Sequence, residues 1–159
     1  MKIILVNPLI PQNAGSIGRL CASMDVELMF VEPLGFKIED RYLKRAGLDY
    51  WPWINYSVAP SWQEAFEGVE RPWFFTAHTT QPYTDVEYQE GDALVFGSEN
   101  HGLPRELLER YAPERRVCVP MTNPNVRSLN LAQVAAIGLC EARRQVGWPP
   151  HRAPAQPKG

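Results

Sequence analysis

The sequence predicts an α/β domain with a mainly parallel sheet that carries helices on both faces. The candidate strands are short, continuous apolar runs, which are typical of strands buried on both sides. These runs alternate with segments in which apolar residues recur at spacings of three and four, the period of a helix. Because the sequence contains no internal repeat and no linker, we expect one domain over residues 1–147 and a proline-rich tail over residues 148–159.

In the first half of the chain, three apolar runs predict strands at residues 3–6, 28–31 and 54–58. Helical patterns predict helices at residues 12–24, at residues 39–46 and from residue 62 onward. The last of these follows Ser61-Trp-Gln-Glu64, which has the spacing of a capping box.

In the second half, strands are predicted at residues 73–77, 93–96 and 116–119, and helices at residues 104–110 and 129–145. Ser128 is expected to cap the last helix, with Asn130 in its first turn. This helix has almost no polar face over its first three turns. We therefore expect it to be buried either within its own domain or against a second copy of the chain.

Composition limits the class of protein further. The chain has 159 residues and a net charge of −2, so any RNA binding must use a local basic patch. Its three cysteines lack the spacing of a metal site and are expected to be buried thiols in a reducing compartment. The N-terminal apolar run is too short for a signal peptide, and no stretch approaches the roughly 20 apolar residues of a membrane span. These features predict a cytoplasmic protein with no membrane partner.

The segment Asn13-Ala-Gly15-Ser-Ile-Gly-Arg19 lies at the start of the first helix. Asn13 could cap this helix, Gly15 could allow close packing, and Arg19 could belong to a solvated face. Alternatively, Gly15 and Arg19 share one helix face beside the carboxyl end of the first strand, where ligands bind in open α/β sheets.

Two later segments are unusually polar for loops that follow buried strands. In Phe96-Gly-Ser-Glu-Asn-His-Gly-Leu103, two glycines flank a loop that can present backbone groups to a ligand. It lacks the lysine of a phosphate loop, and Glu99 favours a neutral or cationic ligand. His101 is either a general base or an incidental loop histidine. The second segment lies between Val119 and Leu131. Capping of the last helix would account for Ser128, but it does not account for the many other hydrogen-bonding side chains in this loop.

These three segments resemble, in order, the three motifs of the SPOUT methyltransferases, whose α/β domain ends in a C-terminal trefoil knot. Further segments resemble the small, single-domain family of tRNA (cytidine(34)-2′-O)-methyltransferases, which methylate the ribose of the wobble nucleotide. They are Pro11-Gln-Asn-x-Gly, Glu32-Pro-Leu-Gly-Phe36 and Arg45-Ala-Gly-Leu-Asp-Tyr50. The resemblance extends to Gly147.

The resemblance implies S-adenosylmethionine as cofactor and S-adenosylhomocysteine as product, held in the knot largely by main-chain atoms. The implied cofactor-binding residues are His78, Gly97, Glu99, Val119, Met121 and Ser128. Glu99 would contact the cationic cofactor or order its loop. No metal is expected, because the sulfonium is already an activated methyl donor.

The same resemblance assigns catalysis to Arg19, Ser128 and Asn130. Arg19 would handle the proton of the 2′-hydroxyl. Since the free pKa of arginine exceeds about 12, it would act as an unusual base or would instead orient the hydroxyl and stabilise the developing oxyanion. Ser128 and Asn130 would position Arg19, the ribose or the cofactor.

The resemblance also implies two partners, tRNA and a second copy of the chain. Arg41, Lys44 and Arg45 fall at helical spacings and form one basic face, which either binds RNA or is simply solvated. A homodimer would let one subunit hold the cofactor while the other supplies basic residues. Methylation of another RNA site or of a base atom, or a non-catalytic RNA-binding role, remain open. A dinucleotide-binding oxidoreductase is disfavoured because no Gly-x-Gly-x-x-Gly turn occurs.

Overall fold

A computed structural model describes residues 1–39, 43 and 50–155. Within these residues, six strands form one parallel sheet in the order β3-β2-β1-β5-β4-β6. The strands are β1 (Lys2–Val6), β2 (Glu27–Val31), β3 (Tyr56–Ala59), β4 (Pro72–Phe75), β5 (Ala93–Phe96) and β6 (Arg116–Val117). The predicted parallel sheet is confirmed, with strand boundaries that differ by a few residues.

Four helices of the described chain connect or follow these strands: α1 (Pro11–Ser23), α2 (Trp62–Ala65), α3 (Arg105–Glu109) and α4 (Leu131–Val146). Two 3₁₀ turns lie at Trp51–Trp53 and Pro113–Arg115. The hydroxyl of Ser61 accepts a 3.3 Å hydrogen bond from the backbone N–H of Glu64, which confirms the predicted cap of α2. The helix predicted at residues 39–46 falls largely outside the described residues.

Helices cover both faces of the sheet, as the apolar runs predict. In β1, Ile3 and Leu5 join a core cluster with α1 and α4, whereas Ile4 and Val6 join a second cluster with α2 and α3. All four side chains are fully buried. Complete burial of each such side chain contributes about 1.5–3 kcal/mol, so a strand buried on both faces requires an unbroken apolar run.

The strand order reverses between β1 and β5. From β1 the chain proceeds outward through β2 and β3, then returns to build the other half of the sheet with β4, β5 and β6. In open α/β sheets, ligands bind outside the carboxyl ends of the strands near such a switch. The topology therefore directs attention to the loops that follow β1, β4, β5 and β6.

The start of α4 differs from its prediction. Asn130, and not Ser128, is the N-cap: its side-chain oxygen accepts hydrogen bonds from the backbone N–H groups of Ala132 at 2.9 Å and Gln133 at 3.3 Å. The polar sequence offers two capping residues two positions apart, and the helix begins after the second. Ser128 is left exposed in the preceding loop.

One face of α4 is not covered by the residues that the structure describes. Gln133, Cys140 and Arg144 are exposed and Ile137 is half-buried, and these positions share a face because they are three or four residues apart. The opposite face, which includes Ala135, Leu139 and Ala142, is buried in the core. The sequence predicts that this helix is buried either in its own domain or against a second copy. The described residues of its own domain bury only one side of it.

The cysteines also differ from one another. Cys21 is fully buried, and burial raises the pKa of its thiol to about 12. Cys118 is half-buried and Cys140 is exposed, so the prediction of three buried thiols is wrong for Cys140. Within the described residues, no helix is long and apolar enough to cross a membrane.

Candidate functional site

A cavity of about 800 Å³ opens at the carboxyl ends of β4, β5 and β6. Its walls are the segments that follow these strands, the polar loop before α4, and the residues Ile10 and Asn13 at the start of α1. A volume of this size falls within the range of small-molecule and cofactor sites.

All six residues predicted to bind a cofactor line this cavity, although they come from three separate segments of the chain, which follow β4, β5 and β6. They are His78, Gly97, Glu99, Val119, Met121 and Ser128. Asn130 lines it as well. Arg127 is a further cavity residue, to which the sequence analysis gave no role.

The loop after β5 is held in a narrow shape by its own backbone. Ser98 N–H donates to the carbonyl of Gly102 at 3.1 Å, and Gly102 N–H donates back to the carbonyl of Ser98 at 2.9 Å. A side chain at Gly97 would overlap the backbone of Gly102 and Leu103, and Gly102 itself has a φ of +67°. The two glycines are thus required for the loop conformation that places its backbone at the cavity wall.

Glu99 fastens this loop to the start of α1. Its carboxylate accepts hydrogen bonds from the backbone N–H of Leu9 at 2.8 Å, the backbone N–H of Ile10 at 3.1 Å and the side-chain amide of Asn13 at 3.1 Å. A carboxylate is also favoured near the positive end of a helix. Of the two roles considered for Glu99, its three hydrogen bonds support the ordering of the loop.

Asn13 continues this connection to α4. Its side-chain oxygen accepts a 2.9 Å hydrogen bond from the amide of Asn130, and only 8% of Asn13 is exposed. The interpretation of Asn13 as a helix cap is wrong, since Ile10 is the N-cap of α1 and α1 begins at Pro11. Glu99, Asn13 and Asn130 therefore form one hydrogen-bonded chain, which joins the three polar segments found in the sequence.

Arg19 lies apart from the cavity. It is exposed on α1 and does not line the cavity. Its guanidinium donates a 3.2 Å hydrogen bond to the hydroxyl of Tyr50 and stacks 4.5 Å from the centre of the Tyr50 ring. The structure thus brings Ser128 and Asn130 together at the cavity but does not bring Arg19 to it.

The predicted basic face lies outside the described residues, at Arg41, Lys44 and Arg45. Among the residues that the structure does describe, no cluster of His, Cys, Asp and Glu side chains is arranged to hold a metal ion.

Comparison with known proteins identifies the class to which this fold and cavity belong. The chain belongs to the SpoU rRNA Methylase family, whose model matches residues 1–140. At the level of fold alone, it is similar to the SpoU methyltransferase AviRb from Streptomyces viridochromogenes, solved in complex with AdoMet. That similarity has a TM-score of 0.78 and 23% identity over 91% of this chain and 57% of that chain.

More similar relatives carry a more specific name. The tRNA (cytidine(34)-2′-O)-methyltransferase of Methylovorus glucosotrophus is 45% identical over 90% of this chain and 94% of the relative. The protein of the same name from Burkholderia cenocepacia is 43% identical over 92% of this chain and 96% of the relative. A solved structure that concerns 2-OH methylation of C/U34 on tRNA has a TM-score of 0.85 and 39% identity, over 91% of this chain and 94% of that chain.

Proposed function

We propose that this chain is a tRNA methyltransferase that transfers the methyl group of S-adenosylmethionine to the 2′-hydroxyl of nucleotide 34. The observation that carries this proposal is the cavity of about 800 Å³ lined by all six expected cofactor residues. Relatives of nearly the same length, at 43–45% identity, are named for this reaction.

The cavity fits S-adenosylmethionine better than it fits a phosphate-rich cofactor. The described wall contains one carboxylate, Glu99, and one guanidinium, Arg127, and so lacks the cluster of cations that several phosphate groups would need. Phe96, Leu131 and Val134 add apolar surface on which an adenine ring can pack. Main-chain groups of the loop after β5, with His78, Val119, Met121 and Ser128, would hold the cofactor. When bound, the cofactor supplies an activated methyl group on a cationic sulfur.

The acceptor hydroxyl must be aligned with this methyl group and must lose its proton. We assign Ser128 and Asn130 to positioning at the cavity wall, where the hydrogen bond from Asn130 to Asn13 fixes their segment. We assign Arg19 to the hydroxyl proton or the developing oxyanion. Because Arg19 does not line the cavity of its own chain, this role requires a second subunit whose cavity it can reach.

A homodimer would meet that requirement. The uncovered face of α4, at Gln133, Ile137, Cys140 and Arg144, lies on a helix that packs against α1, which carries Arg19. Burial of this face by the same face of a partner would form a two-fold interface. The pairing would also bring basic residues of the partner to the RNA. A single chain has a net charge of −2 and so has no net positive charge with which to attract RNA.

The C-terminal knot belongs to the same proposal. Beyond β6, Cys118 N–H donates to the carbonyl of Gln81 at 2.9 Å, and Tyr83 N–H donates to the carbonyl of Cys118 at 2.9 Å. The chain therefore runs beside the loop that follows β4 before it enters α4. Threading of α4 through that loop would produce the trefoil knot. Free thiols and a tRNA substrate favour a cytoplasmic location.

The decisive experiment is methyl transfer from labelled S-adenosylmethionine to total tRNA and, in parallel, to ribosomal RNA, since the family model is named for rRNA. We expect label in tRNA, and we expect nuclease mapping to locate it at the ribose of nucleotide 34. Label in rRNA alone would overturn the assignment of tRNA as the substrate. Binding of S-adenosylhomocysteine without transfer to any RNA would instead indicate a non-catalytic RNA-binding protein.

A further inference from the structure

A second cavity, of about 330 Å³, lies on the other side of the loop after β5. It is walled by Asn7 and Leu9 after β1, by residues 33–35 after β2 and by that loop. The loop is a shared wall, because Ser98, His101, Gly102 and Leu103 line both cavities. This second cavity lies beside the point where the strand order reverses, between the carboxyl ends of β1 and β5.

The backbone builds this cavity from two loops in close contact. Gly35 N–H donates to the carbonyl of Pro8 at 2.9 Å, and a side chain at Gly35 would lie 2.5 Å from the carbonyl oxygen of Leu9. Asn7, at a φ of 52°, donates its backbone N–H to Val31 at 3.0 Å. These contacts give a structural role to the segment around Pro33–Gly35, which the proposed cofactor site does not use.

The chemistry of the lining selects a neutral, flat ligand. Leu9, Leu34 and Leu103 contribute apolar side chains, as do two prolines, and none of the described lining residues is Lys, Arg, Asp or Glu. A phosphate would find no cation here, whereas the faces of an aromatic ring would pack on apolar walls. The volume is at the low end of the roughly 300–1,000 Å³ of ligand pockets, which suits a single ring system.

We propose that the second cavity receives the base of the acceptor nucleotide, an inference that rests on the proposed methyl transfer. A base on one side of the shared wall and a cofactor on the other would place the ribose at the rim between them. Nucleotides of single-stranded RNA loops are commonly recognised with the base unstacked and packed on protein side chains. Because the walls offer few hydrogen-bonding groups, the cavity would select bases by size more than by their polar edges.

The test fills the cavity with Leu34→Trp and uses an anticodon stem-loop RNA that carries pyrrolocytidine at the acceptor position. In the complex of wild-type protein, S-adenosylhomocysteine and RNA, we expect the probe to be protected from iodide quenching. In Leu34→Trp we expect this protection to be lost and kcat/KM for unmodified tRNA to fall by about a hundredfold. Affinity for S-adenosylhomocysteine should be unchanged. Val58→Trp, an equal replacement at an exposed site on β3, should retain both protection and kcat/KM.

A second variant covers the case in which Leu34→Trp does not fold. Leu34→Ala enlarges the cavity and should raise kcat/KM for tRNA with adenine at the acceptor position relative to tRNA with cytosine. Unchanged base preference in Leu34→Ala, or wild-type probe protection in a folded Leu34→Trp, would overturn the proposal. Loss of S-adenosylhomocysteine binding in a folded Leu34→Trp would overturn it too, because the cavity would then belong to the cofactor. Failure of the methyl-transfer proposal is recognised separately, since wild-type protein would then not methylate the tRNA.

Discussion

The side-chain amide of Asn130 donates a 2.9 Å hydrogen bond to the side-chain oxygen of Asn13, which precedes it by 117 positions. The same Asn130 side chain caps α4 with its oxygen, and the same Asn13 side chain donates to Glu99. Asn130 therefore has two separable functions, as a helix cap and as the connection between α4 and α1.

Substitution of Asn130 should separate these functions. Asn130→Ala removes the cap and should destabilise the protein by about 1 kcal/mol in urea unfolding. Asn130→Asp retains a capping oxygen, so any loss of its stability should come from the broken hydrogen bond to buried Asn13 and not from the cap. It nevertheless places an acceptor opposite the oxygen of Asn13, and methyl transfer should fall by about tenfold to a hundredfold. Full activity in Asn130→Asp would show that the hydrogen bond to Asn13 does not position the site.

Arg19→Ala should reduce kcat by about 10²–10³-fold, as expected for removal of a donor to a developing oxyanion. Its affinity for S-adenosylhomocysteine, measured by calorimetry, should match wild type because Arg19 is assigned to the acceptor hydroxyl and is not among the cofactor-binding residues. Arg110→Ala is the matched control, since Arg110 also stacks on an aromatic ring, 5.5 Å from the centre of Trp62. Equal activities of the two variants would remove Arg19 from the mechanism.

Replacement of Arg41, Lys44 and Arg45 by alanine should weaken tRNA binding and flatten its salt dependence. Each lost phosphate contact should lower the slope of log K against log salt by about 1. Cofactor affinity should be unaffected. Arg105→Ala with Arg110→Ala removes charge from α3 and from the residue that follows it, and should leave the slope unchanged. An unaltered slope in the triple variant would mean that the predicted basic face is merely solvated.

The protein should sediment as a homodimer of about 36 kDa, twice the 18.1 kDa of one chain. Ile137→Asp should produce a folded monomer, because the position is half-exposed in one subunit but would bury an unpaired charge in the dimer. Val58→Asp, at an exposed apolar site on β3, should remain dimeric. A wild-type monomer at micromolar concentration would contradict the interface and leave Arg19 without a cavity to reach.

Thiol alkylation at pH 8 should distinguish the three cysteines. Cys21 should resist modification, because burial raises its pKa to about 12 and excludes the reagent. Cys118, whose pKa is also raised by burial, should react more slowly than Cys140 does in the monomeric variant Ile137→Asp, where Cys140 is exposed. Cys140 lies three residues after Ile137, so its labelling should accelerate in Ile137→Asp as the proposed interface opens. Equal rates for Cys21 and Cys140 in Ile137→Asp would contradict the packing of α1.

Features that depend on neighbouring residues were predictable from the sequence. The run at residues 3–6 predicts a strand buried on both faces, and Ser61 with Glu64 predicts the start of α2; the structure confirms both. The residues that line the cavity were predicted from the resemblance of whole motifs to a known family. The periodicity of apolar residues alone does not identify them.

Features that depend on contacts distant in sequence were not predictable. Ser128 and Asn130 are equally good capping residues, and the choice of Asn130 accompanies its hydrogen bond to Asn13 on another helix. The exposure of Cys140 likewise reflects which face of α4 meets the sheet. The first three turns of α4, which are apolar almost all round, do not reveal that face.

The loop between Gly97 and Gly102, which its own backbone hydrogen bonds hold in shape, limits which of its positions can change during evolution. Under the proposed recognition of the cofactor by main-chain groups, the exposed residue Asn100 can change without altering the shape of the loop. The glycines have no such freedom, because any side chain at Gly97 meets backbone that is itself hydrogen-bonded in place. Each position in this loop therefore either tolerates substitution or does not. During evolution the exposed surface of the loop can change, while the backbone that faces the cavity keeps its shape.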